Sequence, residues 1–195
     1  MKSLLLTAAL AFSATAIFAA PDSYTVDPSH SQVAFSYNHA GYSTTYGLFS
    51  GFEGEIVFDQ EDPARSSVRV SIATEKMLTG WGDRDDQFLK SGDFFKTADH
   101  PAVTFASTSI EVTGEKTARI SGDLTLNGVT KEVVLDAALN AVVDAYPFPP
   151  FAGKKATGFS ATTTLLRSEF GLGLFAPFIG DEVELRISIE AIKLN

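Results

Sequence analysis

Apolar and polar side chains alternate with a period of two along most of this chain, the pattern of strands with one covered face rather than of helices. In EVELRISIEAI (182–192), Val183, Leu185, Ile187 and Ile189 oppose Glu184, Arg186, Ser188 and Glu190. SQVAFSY (31–37) carries Val33, Phe35 and Tyr37 on its apolar face, GFEGEIVFD (51–59) carries Phe52, Ile56 and Phe58, and SSVRVSIAT (66–74) carries Val68, Val70 and Ile72. AVTFASTSIEV (102–112) changes phase between Phe105 and Ile110, which a bulge near Ser107 would reconcile. TARISGDLTLN, GVTKEVVLDAALNAVV and ATGFSATTTLLR complete about eight antiparallel strands, with almost no helix between them.

Asn127-Gly128 is the strongest local signal, because both positions tolerate the positive φ of a type I′ hairpin turn. A two-residue turn there pairs Leu126 with Val129, Leu124 with Lys131, Gly122 with Val133 and Ile120 with Leu135, which makes one hairpin face apolar. Eight long strands in sequence order can form a sandwich or an up-and-down barrel, and closure removes the unpaired edges that invite aggregation. A barrel of that size is either just filled by side chains or able to hold one small ligand. What the hairpin face covers, a filled core or a hole, is the functional question.

Three connections interrupt the alternation. In 76–101, Asp83 can cap a short helix running to Lys90, which would turn Phe88 and Leu89 towards the barrel. DAYPFPPFAGKK (144–155) reads as an ordered loop, and SEFGLGLFAPFIGD (168–181) combines glycine and proline with three phenylalanines. Connections normally face water, so segments this apolar predict walls or lids around an apolar space. The sixteen phenylalanines, against one tryptophan and two methionines, fit that reading, although a filled core would use them too.

The first nineteen residues have the anatomy of a secretory signal peptide: Lys2, an apolar run and a small-residue end. Cleavage after Ala19 puts Ile17 and Ala19 at the positions that must be small or aliphatic, whereas cleavage after Ala20 would put Phe18 there. One domain from 20 to 195 is then expected in the periplasm, without stable membrane insertion, because the apolar run is short for a bilayer span. The formal charge of −9, with no basic patch, argues against nucleic acid and against an anionic membrane surface. Absence of cysteine excludes thiol chemistry.

No catalytic constellation or metal site emerges from His30, His39 and His100, and no glycine-rich loop leads from a strand into a helix. Lys131 falls on the apolar hairpin face one step from the turn, and Arg167 follows the parity of Phe159, Ala161, Thr163 and Leu165. Cations so placed sit near a barrel mouth, where they either meet a polar head group or snorkel into water.

Taken in order, VDPSHSQVAFSYNHAGYSTTYGLFSGFEGEIVFD, RDDQFLKSGDFF, HPAVTFAST, GDLTLNGVTKEVVLDA and RSEFGL resemble the motifs of the YceI-like family of bacterial proteins. The resemblance covers nearly the whole chain after the leader. It implies a periplasmic, lipocalin-like, extended antiparallel β-barrel, usually dimeric, that binds polyisoprenoid or related long-chain amphiphilic lipids without a known catalytic activity. The pattern it retains includes His30, His39, Gly122, Gly128, Arg167, Phe170 and Gly171. It departs at Arg84-Asp85-Asp86-Gln87-Phe88-Leu89, which lacks the family's histidine and is one residue longer before Asp93-Phe94-Phe95, so no head-group contact is carried over there.

The combined reading is an all-β, eight-stranded barrel whose interior holds a polyisoprenoid, quinone or fatty-acid-type lipid, with no other cofactor and a homodimer as the implied assembly. By parity the wall is Phe35, Tyr37, Phe52, Ile56, Phe58, Phe105, Leu124, Leu126, Val133, Leu135 and Phe159. Trp81, Phe88, Phe94 and Phe95 supply a cap, Lys131 and Arg167 the mouth, and Phe170 lies in the family pattern. The sequence also admits two rivals: an enzyme acting on such a lipid, for which the wall offers only His39, and a filled barrel that binds a partner.

Overall fold

The structure, a computed structural model, describes residues 20–194, so the leader expected over the first nineteen residues lies outside the described residues. Its elements in chain order are β1 (Asp22–Val26), β2 (Gln32–His39), β3 (Ser43–Ser50), β4 (Phe52–Phe58), β5 (Ser67–Ala73), β6 (Met77–Leu78), α1 (Gly82–Lys90), β7 (Ala102–Gly114), β8 (Thr117–Leu126), β9 (Val129–Val143), β10 (Ala156–Leu166) and β11 (Ile179–Ile192). Strands β4, β5, β7, β8, β9, β10 and β11 pair antiparallel in that order, and β1 closes the ring between β4 and β11. The alternation therefore does build a closed eight-stranded barrel.

Its eighth strand is β1 rather than β2. DSYTV is too short and mixed to show a period, and pairing places it, with Tyr24 opposite Ile56 and Val26 opposite Ala191. Strand β2 runs further along the same edge of β11, Val33 opposite Ile187 and His39 opposite Ile179, then splays out with β3 and β6. In sequence, neither STTYGLFS of β3 nor the two residues of β6 alternates apolar with polar side chains, so period alone reveals neither strand. Asp22 ties the closing strand down by accepting hydrogen bonds from Lys155 before β10 and Lys193 after β11, and these bonds lower its carboxyl below the usual range.

The hairpin register is the one expected, Leu124 opposite Lys131 and Ile120 opposite Leu135, around a turn with Asn127 at φ 52° and Gly128 at φ 78°. Strand β7 slips its register between Ser107 and Ser109, the expected bulge. Helix α1 does run to Lys90, but Trp81 occupies its cap position and Asp83 sits in the first turn, where a carboxylate complements the helix dipole.

A solid core occupies one side of the barrel, around Tyr24, Val26, Phe52, Ile56, Phe58, Ile72 and Ala191. The ring of Phe159 stands edge-on to Phe58 there, 5.4 Å between centroids. Elsewhere the interior is not filled. Leu124, Leu126, Val133, Leu135, Val183, Leu185 and Ile187 point inward yet are only half-buried, because their inner surfaces face open space rather than other side chains.

Candidate ligand-binding tunnel

The hairpin face covers a hole. A tunnel of about 910 Å³ runs through the barrel, walled by inward residues of β2, β4, β5, β7, β8, β9, β10 and β11. Of the side chains expected from parity, Phe35, Tyr37, Phe52, Ile56, Phe58, Phe105, Leu124, Leu126, Val133, Leu135 and Phe159 all line it, and so do His39 and Phe170. A filled barrel predicts no such space. At one end the lining reaches the exposed β7–β8 turn, Gly114 to Thr117. At the other it reaches Trp81, α1 and the connection that precedes β11.

Two glycines keep the lumen open. Gly47 faces Phe35 across the β2–β3 ladder, and a Cβ there would lie closer than 3.0 Å to the ring; Gly122 pairs with Ser107, and a Cβ on it would meet the ring of Phe105, diagonally across the β7–β8 ladder, equally closely. The missing side chains let both rings lie against the wall instead of across the tunnel.

Aromatic rings gather at the α1 end of the tunnel. The rings of Phe35, Phe49 and Phe95 form a ladder from wall to lid, with centroids 5.7 and 6.0 Å apart, and Phe88 packs on Phe94 at 4.7 Å. Phe88 faces the tunnel, whereas Leu89 is half-buried away from it. Asn127 clamps the cap onto the hairpin: its Oδ1 accepts from the Lys96 amide at 2.8 Å and its Nδ2 donates to the Phe170 carbonyl at 3.2 Å. The turn residue that sets the hairpin thus also fastens the lid.

Sequence reasoning missed the work of Arg84 and Asp85. Arg84 donates to the hydroxyl and carbonyl of Thr79 at 2.8 and 3.0 Å, while Asp85 accepts from the amide and hydroxyl of Thr79 at 2.8 and 2.5 Å. This pair ties α1 to the residue after β6, and the Arg84 guanidinium also lies 5.8 Å from the Trp81 ring. The signal available was the Arg-Asp pair itself; its partner is a local threonine that spacing alone does not single out.

The two mouth cations sit differently from each other. Arg167 borders the tunnel, but its guanidinium donates to the carbonyls of Gly180 and Ile179 at 2.8 Å each, to Leu174 at 3.0 Å and to Leu172. It organises the loop before β11, and burial lowers its pKa. Lys131 does not line the tunnel. Its long stem carries the ammonium out of the apolar wall to Glu169, 3.6 Å away, in a half-exposed pair. Lys131→Gln is therefore expected to change binding of anionic and neutral lipids of equal chain length alike, by less than about twofold, in a fluorescence displacement titration.

Among the described residues, one group of three ligand-type side chains lies off the tunnel. Asp27, His30 and Glu190 have polar atoms within 4.8 Å of one another. The 2.7 Å between His30 Nδ1 and Asp27 Oδ2 is a hydrogen-bond distance, and Ser29 donates twice more to Asp27, so the group reads as a brace for the β1–β2 connection. Burial opposes charge on Asp27, but the bonds from Ser29 and His30 outweigh it and lower its carboxyl. The same bond raises the pKa of His30. The brace is then at full strength between about pH 3.9 and 6.5, the unfolded carboxylate and histidine values, and weakens as pH rises through the raised folded value of His30. Melting temperature is expected to fall over that rise, and His30→Gln to flatten the dependence.

Among the described residues no carboxylate is hydrogen-bonded to the exposed ring of His39, and no helix is long and apolar enough to cross a membrane. Fold and site together define a hollow, lipocalin-like antiparallel barrel with an apolar tunnel. A match to the YceI-like domain spans residues 24–191, and Protein YceI of Escherichia coli O157:H7 is 41% identical over 186 residues, 95% of this chain and 94% of that one. The chain belongs to the YceI-like family. BcnA of Burkholderia cenocepacia shares the fold with a TM-score of 0.74 at 22% identity, covering 85% of this chain and 98% of that one. A polyisoprenoid binding domain from Saccharophagus degradans, implicated in plant cell wall breakdown, shares it with a TM-score of 0.65 at 13% identity, covering 87% and 98%.

Proposed function

We propose that this protein binds a long-chain isoprenoid or related amphiphilic lipid in the tunnel and carries it through the periplasm without altering it chemically. The continuous apolar wall around about 910 Å³ is the observation that supports this most strongly. Family membership adds to it, as does the polyisoprenoid-binding character of the S. degradans domain with the same fold. The leader supports the periplasmic setting. At roughly 30 Å³ per carbon-sized group, the tunnel takes on the order of thirty such groups. Each buried methylene contributes about 0.8 kcal/mol, so ten of them supply about 8 kcal/mol before the costs of association.

Chain length then sets affinity and the head group adds little. Displacement titrations with isoprenoid alcohols of increasing length are expected to show affinity rising until the tunnel is full; no response at any length would exclude the reading. Narrowing the lumen should act in the opposite sense. Gly47→Ala forces the Phe35 ring inward, and overpacking of this kind costs about 1–3 kcal/mol. Long-chain binding should weaken by about tenfold and recover when Phe35→Leu is added.

A further inference from the structure

We infer that the rim of the tunnel is a docking surface for a zwitterionic, net-neutral lipid bilayer, an inference that rests on the lipid-binding reading above. Two connections close this end of the barrel, and each exposes aromatic rings that also border the opening. Trp81, before α1, is 59% exposed; Phe175 and Phe178, before β11, are 58% and 82% exposed. Tyr42 stands beside them, 91% exposed in the β2–β3 turn, where His39 pairs with Ile179 next to Phe178.

These rings are held out by their backbone. Arg167 fixes the carbonyls of Leu172, Leu174, Ile179 and Gly180, the Ala176 amide donates to Gly173 and the Ile179 amide to Phe175. Phe175 itself adopts φ 64°, a left-handed conformation uncommon for a bulky aromatic. A loop that only had to shed water could fold its rings into the apolar lumen beneath. This one holds them in solvent at a conformational cost, which points to a partner.

The cargo identifies that partner. A water-insoluble chain can leave the tunnel only into another apolar phase, so whatever covers the rim must accept it. A rigid protein face would plug the opening, and exposed rings around an open rim suit a soft surface. Tryptophan, tyrosine and phenylalanine are side chains that partition to bilayer interfaces. Charge narrows the choice further. Asp83, Asp86, Asp181 and Glu182 flank the rim, Lys90 is paired with Asp86 at 2.6 Å, Arg84 and Arg167 are engaged within the fold, and the formal charge is −9. An anionic surface would repel this face, whereas a zwitterionic one would not.

Trp81 is the only tryptophan in the chain and makes the test direct. Phosphatidylcholine vesicles should shift its emission to the blue, brominated acyl chains should quench it, and the protein should float with the vesicles. Partition should be weaker by about tenfold on vesicles of equal parts phosphatidylcholine and phosphatidylglycerol at low salt. Phe178→Asp should abolish flotation. Tyr42→Asp, outside the tunnel wall, should weaken flotation several-fold while leaving binding of cyclodextrin-solubilised geranylgeraniol unchanged. Wild-type protein that binds geranylgeraniol but neither floats nor shifts Trp81 would overturn the docking and leave the lipid reading standing. Absence of geranylgeraniol binding would overturn the lipid reading and the docking with it. A Trp81 shift that follows protein concentration without vesicles would assign the rim to a second copy of the chain and overturn the bilayer.

Discussion

Phe105→Asp is expected to lower stability by several kcal/mol, enough to unfold much of the protein at neutral pH. Phe105 is 8% exposed, with its ring against Gly122 and its backbone paired to Val70 on β5 and Leu124 on β8. Losing the ring alone costs about 3–5 kcal/mol, and an unpartnered carboxylate in the apolar wall adds its desolvation. Such a carboxyl has a folded pKa above its unfolded value. The variant should therefore regain part of its stability as pH falls through that raised value towards about 3.9, opposite to a carboxylate held by a cation. Urea melts at neutral and acidic pH measure both effects. An unchanged midpoint would place Phe105 outside the wall.

Arg167→Met should cost about 2–4 kcal/mol and loosen the connection before β11 while the barrel strands persist. Methionine keeps much of the apolar stem but removes every donor that now serves Leu172, Leu174, Ile179 and Gly180. Hydrogen bonds to charged groups contribute about 1.5–3 kcal/mol each, and rehydration of carbonyls near the surface recovers part of that total. Hydrogen exchange resolves the outcome by segment. Amides from Leu172 to Gly180 should lose protection, with those of β9 and β10 nearly unchanged. Full protection of the loop in the variant would mean that the carbonyl bonds do not hold it.

Strands with one continuous neighbour on each side were legible because parity is a local property. Val183 to Ile189 alternate in the structure as they do in the sequence, and Asn127-Gly128 fixed a register that carried Leu124, Val133 and Leu135 onto one face. Strand β1 was not legible, since its place depends on β4 and β11, which lie far away in the chain. Parity also says where a side chain leaves the backbone and nothing about where its end goes. Lys131 leaves inward and ends on Glu169; Arg167 leaves inward and ends on four carbonyls. Short wall residues such as Leu126 and Phe105 have no such freedom, so the wall could be read from the sequence and the mouth could not. Gly47 shows the complementary limit, because its function lies in the space it leaves for Phe35.

The central claim is that the tunnel holds a long apolar chain. Protein purified without detergent, extracted with organic solvent and analysed by mass spectrometry, tests it most directly. The account predicts an isoprenoid or related long-chain lipid in near-stoichiometric amount from the wild type and much less from Gly47→Ala. Wild-type protein that is folded, yields no lipid and takes up none when offered it would contradict the account.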